Sequence, residues 1–322
     1  MSENKENKIS DIFVLIPSYN HASFIEHCIR SVIRQKLAPT KLLIIDDGSN
    51  DGSPAIIDAI LKDCPFNAEL IVRENRGLCA TLNQGFSMCG SSRYFAYLGS
   101  DDIWMPEFIS ERIKLLDSRE DAVLGYGHAA FIDDRGTVID STDEHSENWA
   151  NYPDGDAVEM LLKGIAPVSS TVMYRSSVLE KVSWNENSRL EDYEMYLNLM
   201  CSGEFAFDQR VLSAWRHHGY NTSGDKMLML KEVIEAQNRH ISKFGISAAE
   251  LAKRQIKLKF HYARDFLRSG DKRTAFQLAL KNLSGAEPFE LAKFILRLGV
   301  PMPLIELKRR SRKRRLSQMI SD

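Results

Sequence analysis

The chain has 322 residues and 36.6 kDa, with 43% apolar and 27% charged residues, the balance of a globular protein large enough for one domain with an appendage or for two domains. Its formal charge of −2 hides a division, because residues 1–225 carry 20 basic and 35 acidic groups while residues 226–322 carry 22 and 9. An acidic front suits cations or cationic groups and a basic back suits an anionic surface, so the two parts are expected to do different jobs.

Residues 1–8 are polar, and the apolar run 12–16 ends at Pro17. That run is too short for an export signal, so a cytoplasmic location is expected. It reads instead as a buried strand. Phe24, Ile25, Cys28, Ile29, Val32 and Ile33 follow at helical spacing behind a Ser23-x-x-Glu26 capping box. Residues 42–45 are a second strand, leading through Asp47-Gly48-Ser49 into a helix begun by Ser53 and Pro54. Residues 70–72 and 94–98 predict two more strands around a helix over 78–88, and a further helix opens at Pro106 with Phe108, Ile109, Ile113 and Leu116 inward. Strands alternating with helices predict an α/β fold, a mostly parallel sheet flanked by helices. The five cysteines (Cys28, Cys64, Cys79, Cys89, Cys201) have no paired metal spacing, so neither disulfides nor structural zinc is expected.

Two of these strands end abruptly in carboxylates, at Ile45-Asp46-Asp47-Gly48 and at Leu98-Gly99-Ser100-Asp101-Asp102. Ligands of such sheets sit beyond the carboxyl ends of the strands, and clustered carboxylates repel unless a cation or hydrogen-bonding ligand joins them. The pattern points to a metal-dependent nucleotide site. No G-x-G-x-x-G follows the first strand, and neither G-x-x-x-x-G-K-[ST] nor G-x-S-x-G occurs, which removes dinucleotide, P-loop and serine-hydrolase readings.

Four motifs in order carry a resemblance: Ile16-Pro17-Ser18-Tyr19-Asn20; Ile45-Asp46-Asp47-Gly48-Ser49-Asn50-Asp51-Gly52-Ser53; Asn75-Arg76-Gly77 with Asn83-Gln84-Gly85; and Ser100-Asp101-Asp102-Ile103-Trp104. With Ser170-Thr171-Val172-Met173-Tyr174-Arg175, Glu191-Asp192-Tyr193-Glu194 and Trp215-Arg216-His217-His218, the series resembles glycosyltransferase family 2 over residues 10–225. The resemblance implies an A-type nucleotide-diphosphosugar transferase fold and inverting transfer from a UDP-sugar to a hydroxyl of a glycan or lipid-linked glycan, in cell-surface polysaccharide or lipopolysaccharide synthesis. Carried onto matching positions, Pro17, Ser18 and Tyr19 shape the base pocket, and Asp47 accepts from the nucleobase or ribose. Arg76 and Asn83 contact the nucleotide sugar, and Asp101 binds its ribose or helps organise the metal site. Asp102 holds Mg²⁺ or Mn²⁺ against the diphosphate, and Asp192 is the general base. Arg216 and His218 lie on a late loop over the diphosphate, with His218 a second metal ligand, although Arg-His-His lets either His217 or His218 turn inward. The stretch Val182-Ser183-Trp184-Asn185-Glu186-Asn187 departs from the family's glycine-rich pattern and leaves the acceptor side near Trp184 open.

Plainer readings stand beside these. Asp47 before Gly48 fits a turn, Asp101-Asp102 before Pro106 fits a helix cap, and acidic residues at 191–194 fit a helix N-terminus. A sugar nucleotidyltransferase is an alternative enzyme, but usually carries a basic glycine-rich loop that this chain lacks. A non-catalytic nucleotide-sugar-binding scaffold is the other alternative.

Residues 226–307 read as a helical C-terminal region: Met227, Leu230, Ile234, Ile241 and Phe244 make one stripe, and 251–267 and 274–283 make further helices around Ser269-Gly270-Asp271. It is expected to pack on the transferase domain or on a second copy in a homo-oligomer. Residues 289–307 are too interrupted to span a bilayer, and a polybasic tail, 308–322, follows. That tail fits an anionic membrane surface at the inner face of the cell membrane or a solvated segment. Nucleic-acid binding is not expected without interleaved aromatic residues.

Overall fold

Ile12-Phe13-Val14-Leu15-Ile16 has no polar side chain to offer solvent, and it becomes a central strand of the sheet, buried along its whole length. A computed structural model describes residues 10–144, 152–219 and 224–300. The tail at 308–322 and the end of the expected helical region, 301–307, lie outside the described residues.

In chain order the elements are β1 (Ile12–Ser18), α1 (Ile25–Ile33), β2 (Lys41–Asp46), α2 (Ser53–Leu61), β3 (Ala68–Val72), α3 (Leu78–Ser87) and β4 (Tyr94–Tyr97). There follow β5 (Ile103–Trp104), α4 (Phe108–Asp117), β6 (Ala122–Ile132), β7 (Val138–Ser141), α5 (Val158–Leu162), β8 (Met173–Arg175), α6 (Ser176–Leu179), α7 (Glu191–Leu199) and β9 (Glu204–Arg216). The last four are α8 (Lys226–Arg239), α9 (Ala248–Ser269), α10 (Lys272–Lys281) and α11 (Pro288–Gly299). The described residues group into two compact units, one drawn from Met1–Ala157 with Ala166–His217 and the other from Val158–Ile165 with His218–Asp322.

The first unit is one sheet of order β3-β2-β1-β4-β8-β6-β9-β5, with β7 on β6. Its first four strands are parallel, as the alternation of strands and helices requires. Beyond β4 the sheet is mixed: β8 runs antiparallel to β4 and β6, and β5 antiparallel to β9, while β6 and β9 are parallel. The short β5 and β8 do not stand out as apolar runs, and the long β6 and β9 gave no alternation to read. Register pairs Ser18 with Asp46, Asp46 with Val72, and Leu15 with Tyr97, so the parallel strands end on one rim. Val14, Ile16, Leu42, Ile44 and Ala96 form the core with Ile25, Cys28, Ile29, Val32 and Ile57 of the helices.

The capping box expected at Ser23 is absent. Helix α1 starts at Ile25 without a side-chain cap, and Glu26 instead pairs with Arg30 at 2.8 Å, one turn along. Helix α2 begins at Ser53 with Pro54 in its first turn, as expected, and Gly52 takes the left-handed position before it.

In the second unit, Asp225, Ser247 and Asp271 cap α8, α9 and α10, and Gly270 closes α9 in the left-handed conformation. The stripe expected through Phe244 breaks, since α8 ends at Arg239 and Ile241 begins a short 3₁₀ turn. Helix α5, from the middle of the chain, joins this unit: Gln237 Nε2 donates to the carbonyls of Leu161 and Leu162 at 3.1 and 3.2 Å, and Arg254 pairs with Glu159 at 2.8 Å.

Candidate functional site

The rim where β1, β2 and β4 end is built by loops tied to one another. Asn20, with a positive φ of 53°, donates its N–H to Ser49 Oγ (2.8 Å) and accepts from Asn50 N (2.9 Å). Asp51 accepts from Ala22 N at 2.8 Å and from Ser53 Oγ at 2.6 Å. Asp46 accepts from Ser49 N and Oγ and from Ser18 Oγ, at 2.8, 2.7 and 3.1 Å. The first acidic motif is therefore largely satisfied by the protein's own donors.

Asp47 fastens a third loop. Its two oxygens accept from Arg76 N (2.9 Å) and Gly77 N (2.7 Å), and Arg73 Nη1 lies 2.7 Å away. Gly48 permits this closeness: its φ is +84°, and a Cβ there would meet Asn75 N at 2.9 Å. Arg73 was not foreseen from the sequence, which pointed to Arg76. The Arg76 side chain is exposed, and only its main chain engages Asp47.

Of the Pro17-Ser18-Tyr19 stretch, Pro17 is buried within β1 and the Ser18 hydroxyl is committed to Asp46. Tyr19, 49% exposed, presents an aromatic ring at the rim. Asn83 departs from its expected role. Its amide accepts from Trp184 N (2.9 Å) and donates to Trp184 O (2.9 Å) and Glu186 Oε1 (3.2 Å), so it braces the segment leading to α7.

The second acidic motif differs from the first. Asp102 is only 4% exposed and accepts one N–H, from Arg216 at 2.9 Å. Burial and then the charge of Asp101 push its carboxyl well above the usual carboxylate range, against the pull of Arg216. A Cβ on Gly99 would lie 3.0 Å from Asp101 Oδ1 and 3.2 Å from Asp102 Oδ2, so both carboxylates face the space a side chain there would fill. His21, also unforeseen, adds Nδ1 at 2.7 Å from Ser100 Oγ and 4.0 Å from Asp101 Oδ1. Hard oxygen donors gathered at a buried, negatively charged point fit a divalent cation such as Mg²⁺ or Mn²⁺.

Arg216 is the last residue of β9 rather than part of a loop, and it is buried. Its Nε donates to Asp101 O (2.8 Å) and its Nη1 to Asp133 O (2.8 Å), while the guanidinium lies 4.9 Å from the centre of the Phe24 ring. It positions the Asp101-Asp102 turn. His217 donates its N–H to Ile132 O at 2.8 Å, and its ring packs on Trp215 and Phe131. His218 is half-buried and opens the second unit's long segment.

Asp192 is the second residue of α7 and accepts from Tyr193 N at 2.6 Å. Trp184, packed among Phe86, Phe95, Tyr97 and Tyr174, anchors the preceding loop, and Cys79 Sγ reaches Ser188 O at 3.6 Å. Glu191 and Asp192 keep part of their surface open, but their carboxyls are desolvated. Burial pushes Asp192 up to about 6, and burial with the Asp192 charge pushes Glu191 up to about 8. Both carboxyls act electrostatically on Tyr97, the last residue of β4, where burial and those charges hold the phenol protonated. Asp101 follows Tyr97 by four residues in the chain. Asp47 lies two strands over, about 10 Å at ordinary strand spacing.

Residues 13–183 match the family model described as Glycosyl transferase family 2. An uncharacterised glycosyltransferase of Nostoc is 26% identical over 266 residues, 79% of this chain and 81% of that protein. Chondroitin synthase of Escherichia coli is 26% identical over 245 residues, 73% of this chain but 33% of the synthase. Among solved structures, a mannosyltransferase from Pyrobaculum calidifontis in complex with GDP-Man and Mn²⁺ aligns with a TM-score of 0.60 at 13% identity, over 94% of this chain and 84% of that one. S. aureus TarS in complex with UDP-GlcNAc aligns with a TM-score of 0.55 at 12% identity, over 85% and 89% of the two chains. With its mixed sheet, helical flanks and ordered acidic motifs, the chain belongs to glycosyl transferase family 2 and has the A-type glycosyltransferase fold.

Proposed function

We propose that this protein transfers one sugar, with inversion, from a UDP-sugar to a hydroxyl of a glycan or lipid-linked glycan during cell-surface polysaccharide or lipopolysaccharide assembly. The observation that supports the reading is the ordered series of acidic motifs in a chain of this family, with Asp101 and Asp102 both facing the space over Gly99 and the charge of Asp192 acting on Tyr97, the last residue of β4.

Tyr19 offers its exposed ring to the nucleobase, and Asp47 with Arg73 sets the loop 73–77 along the nucleotide. Asp102 and Asp101, with His218 as a further ligand, would hold Mg²⁺ or Mn²⁺, which would supply positive charge where the departing diphosphate gains negative charge. Asp192, ionised above a pH of about 6, takes the acceptor's hydroxyl proton. The acceptor oxygen bonds to the anomeric carbon from the opposite face, and the bond to the nucleoside diphosphate breaks with its electron pair on the leaving oxygen. One carboxylate base suffices for that course. The basic back and the tail at 308–322 suit a lipid-linked acceptor at the cytoplasmic face of a membrane. Among the described residues no helix is long and apolar enough to cross a membrane.

A thermal-shift screen of nucleotide sugars with and without Mn²⁺ tests the donor side. Saturation at about 100 Kd raises stability by about 2.7 kcal/mol, so a true donor gives a clear, metal-dependent rise in Tm. Failure of every donor in the presence of Mn²⁺ counts against the transferase and the nucleotide-sugar-binding scaffold alike, whereas a donor that binds without being turned over leaves the scaffold. Nucleotide-sugar synthesis from a sugar phosphate, in place of transfer, identifies the nucleotidyltransferase.

A further inference from the structure

Helix α11 is apolar on two sides. Phe294 packs inward against Phe260 with ring centres 5.6 Å apart, whereas Phe289, Ile295 and Leu296 are 68%, 60% and 74% exposed. Helix α10 repeats the pattern: Ala275 and Ala279 face inward, while Phe276, Leu280 and the following Leu283 form an exposed i, i+4, i+7 stripe. Six of the ten large exposed apolar side chains among the described residues fall between 276 and 296, on α10, α11 and the turn between them. At 12 residues α11 is too short to span a bilayer, and it suits lying along one.

Charge selects the occupant. Residues 272–300 carry Lys272, Arg273, Lys281, Lys293 and Arg297 against Glu287 and Glu290. Both acids are already paired, Glu287 with Lys257 (3.2 Å) and Glu290 with Arg264 (2.7 Å). Lys293 lies 4.2 Å from the centre of the Phe289 ring, so a cation sits directly on the apolar face. In sequence, the run 308–315 follows with seven cations and no acid. A second copy would set like charge against like, whereas an anionic lipid surface accepts both the apolar stripes and the cations.

We propose that the outward faces of α10 and α11 dock this protein on an anionic lipid bilayer. The proposal rests on the lipid-linked-acceptor reading for its purpose, but its physics is independent of catalysis. The test is flotation of the full chain with vesicles of phosphatidylcholine alone or mixed with phosphatidylglycerol, comparing wild type with Phe289→Ser/Leu296→Ser. Wild type is expected to float only with the mixed vesicles. The double variant is expected to lose at least about tenfold in partition, with an unchanged circular dichroism spectrum and unchanged transfer to a soluble acceptor. Failure of wild type to float overturns the proposal, as does equal flotation of the variant, which would leave binding to the tail alone. A wild-type dimer that dissociates on substitution, with flotation unaltered, makes the face a contact between copies instead. Loss of transfer to soluble acceptors in wild type would strike the proposed function and leave the docking result standing.

Discussion

A carboxylate works as a base only while ionised, and burial of Glu191 and Asp192 sets the pH at which that holds. Both folded pKa values, about 8 and about 6, exceed the ordinary carboxylate range. The stability this pair contributes is therefore full below about pH 4 and is lost as pH rises through 6 toward 8. Asp192→Asn removes one of the two charges. The variant is expected to melt above wild type at pH 8 and level with it at pH 4, which calorimetry at the two pH values checks. Wild-type transfer is expected to fall below a pH of about 6, where Asp192 takes up a proton, as a pH–rate profile would show. Asp102→Asn removes a buried carboxylate that has only one N–H partner. It is expected to abolish the Mn²⁺-dependent part of donor binding, measured by titration with and without the ion. At this scale the ordered motifs put Asp47, Asp101, Asp102 and Asp192 forward as candidates, because the order and spacing of those motifs are read directly from the sequence. His21 and Arg73 were not legible. Their partners, Ser100 and Asp101 for one and Asp47 for the other, lie 26 to 80 residues away, and only folding brings them together.

Three connections between elements hold the rim: Asp47 to the loop after β3, Asn83 of α3 to Trp184, and Arg216 of β9 to the turn after β4. The first can be broken without touching a carboxylate. Gly48→Ala forces a Cβ to 2.9 Å from Asn75 N at a φ of +84° and is expected to destabilise by about 1–3 kcal/mol, read from urea unfolding. Asn83→Ala leaves the Trp184 main chain unpaired and is expected to lower transfer more than donor binding, because it frees the loop that carries Asp192; a kcat-against-KM comparison separates the two effects. The parallel half of the sheet was readable from its apolar runs. The mixed half was not, since β8 has three residues and β6 is buried throughout, without the alternation that marks a strand. Asn83 and Arg216 look like ligand contacts in a motif, while in the fold their side chains donate to main-chain carbonyls, and Asn83 also to Glu186.

For the whole molecule, the division of charge falls close to the division of structure: the acidic front supplies the sheet and its rim, and the basic back supplies the helical unit. The two units part after His217, and α5 belongs to the second, which five residues of ordinary helical sequence do not announce. If the back faces anionic lipid, its binding depends on screened charge and is expected to weaken as salt rises from 0.1 to about 1 M, where the Debye length drops from about 10 to about 3 Å. The catalytic proposal is tested most directly by measuring Asp192→Asn and wild type side by side for donor affinity and for turnover. We expect unchanged donor affinity with turnover reduced about 10² to 10⁴-fold, the contribution of a positioned base. Turnover equal to wild type would contradict the assignment of Asp192 and, with it, the proposed mechanism.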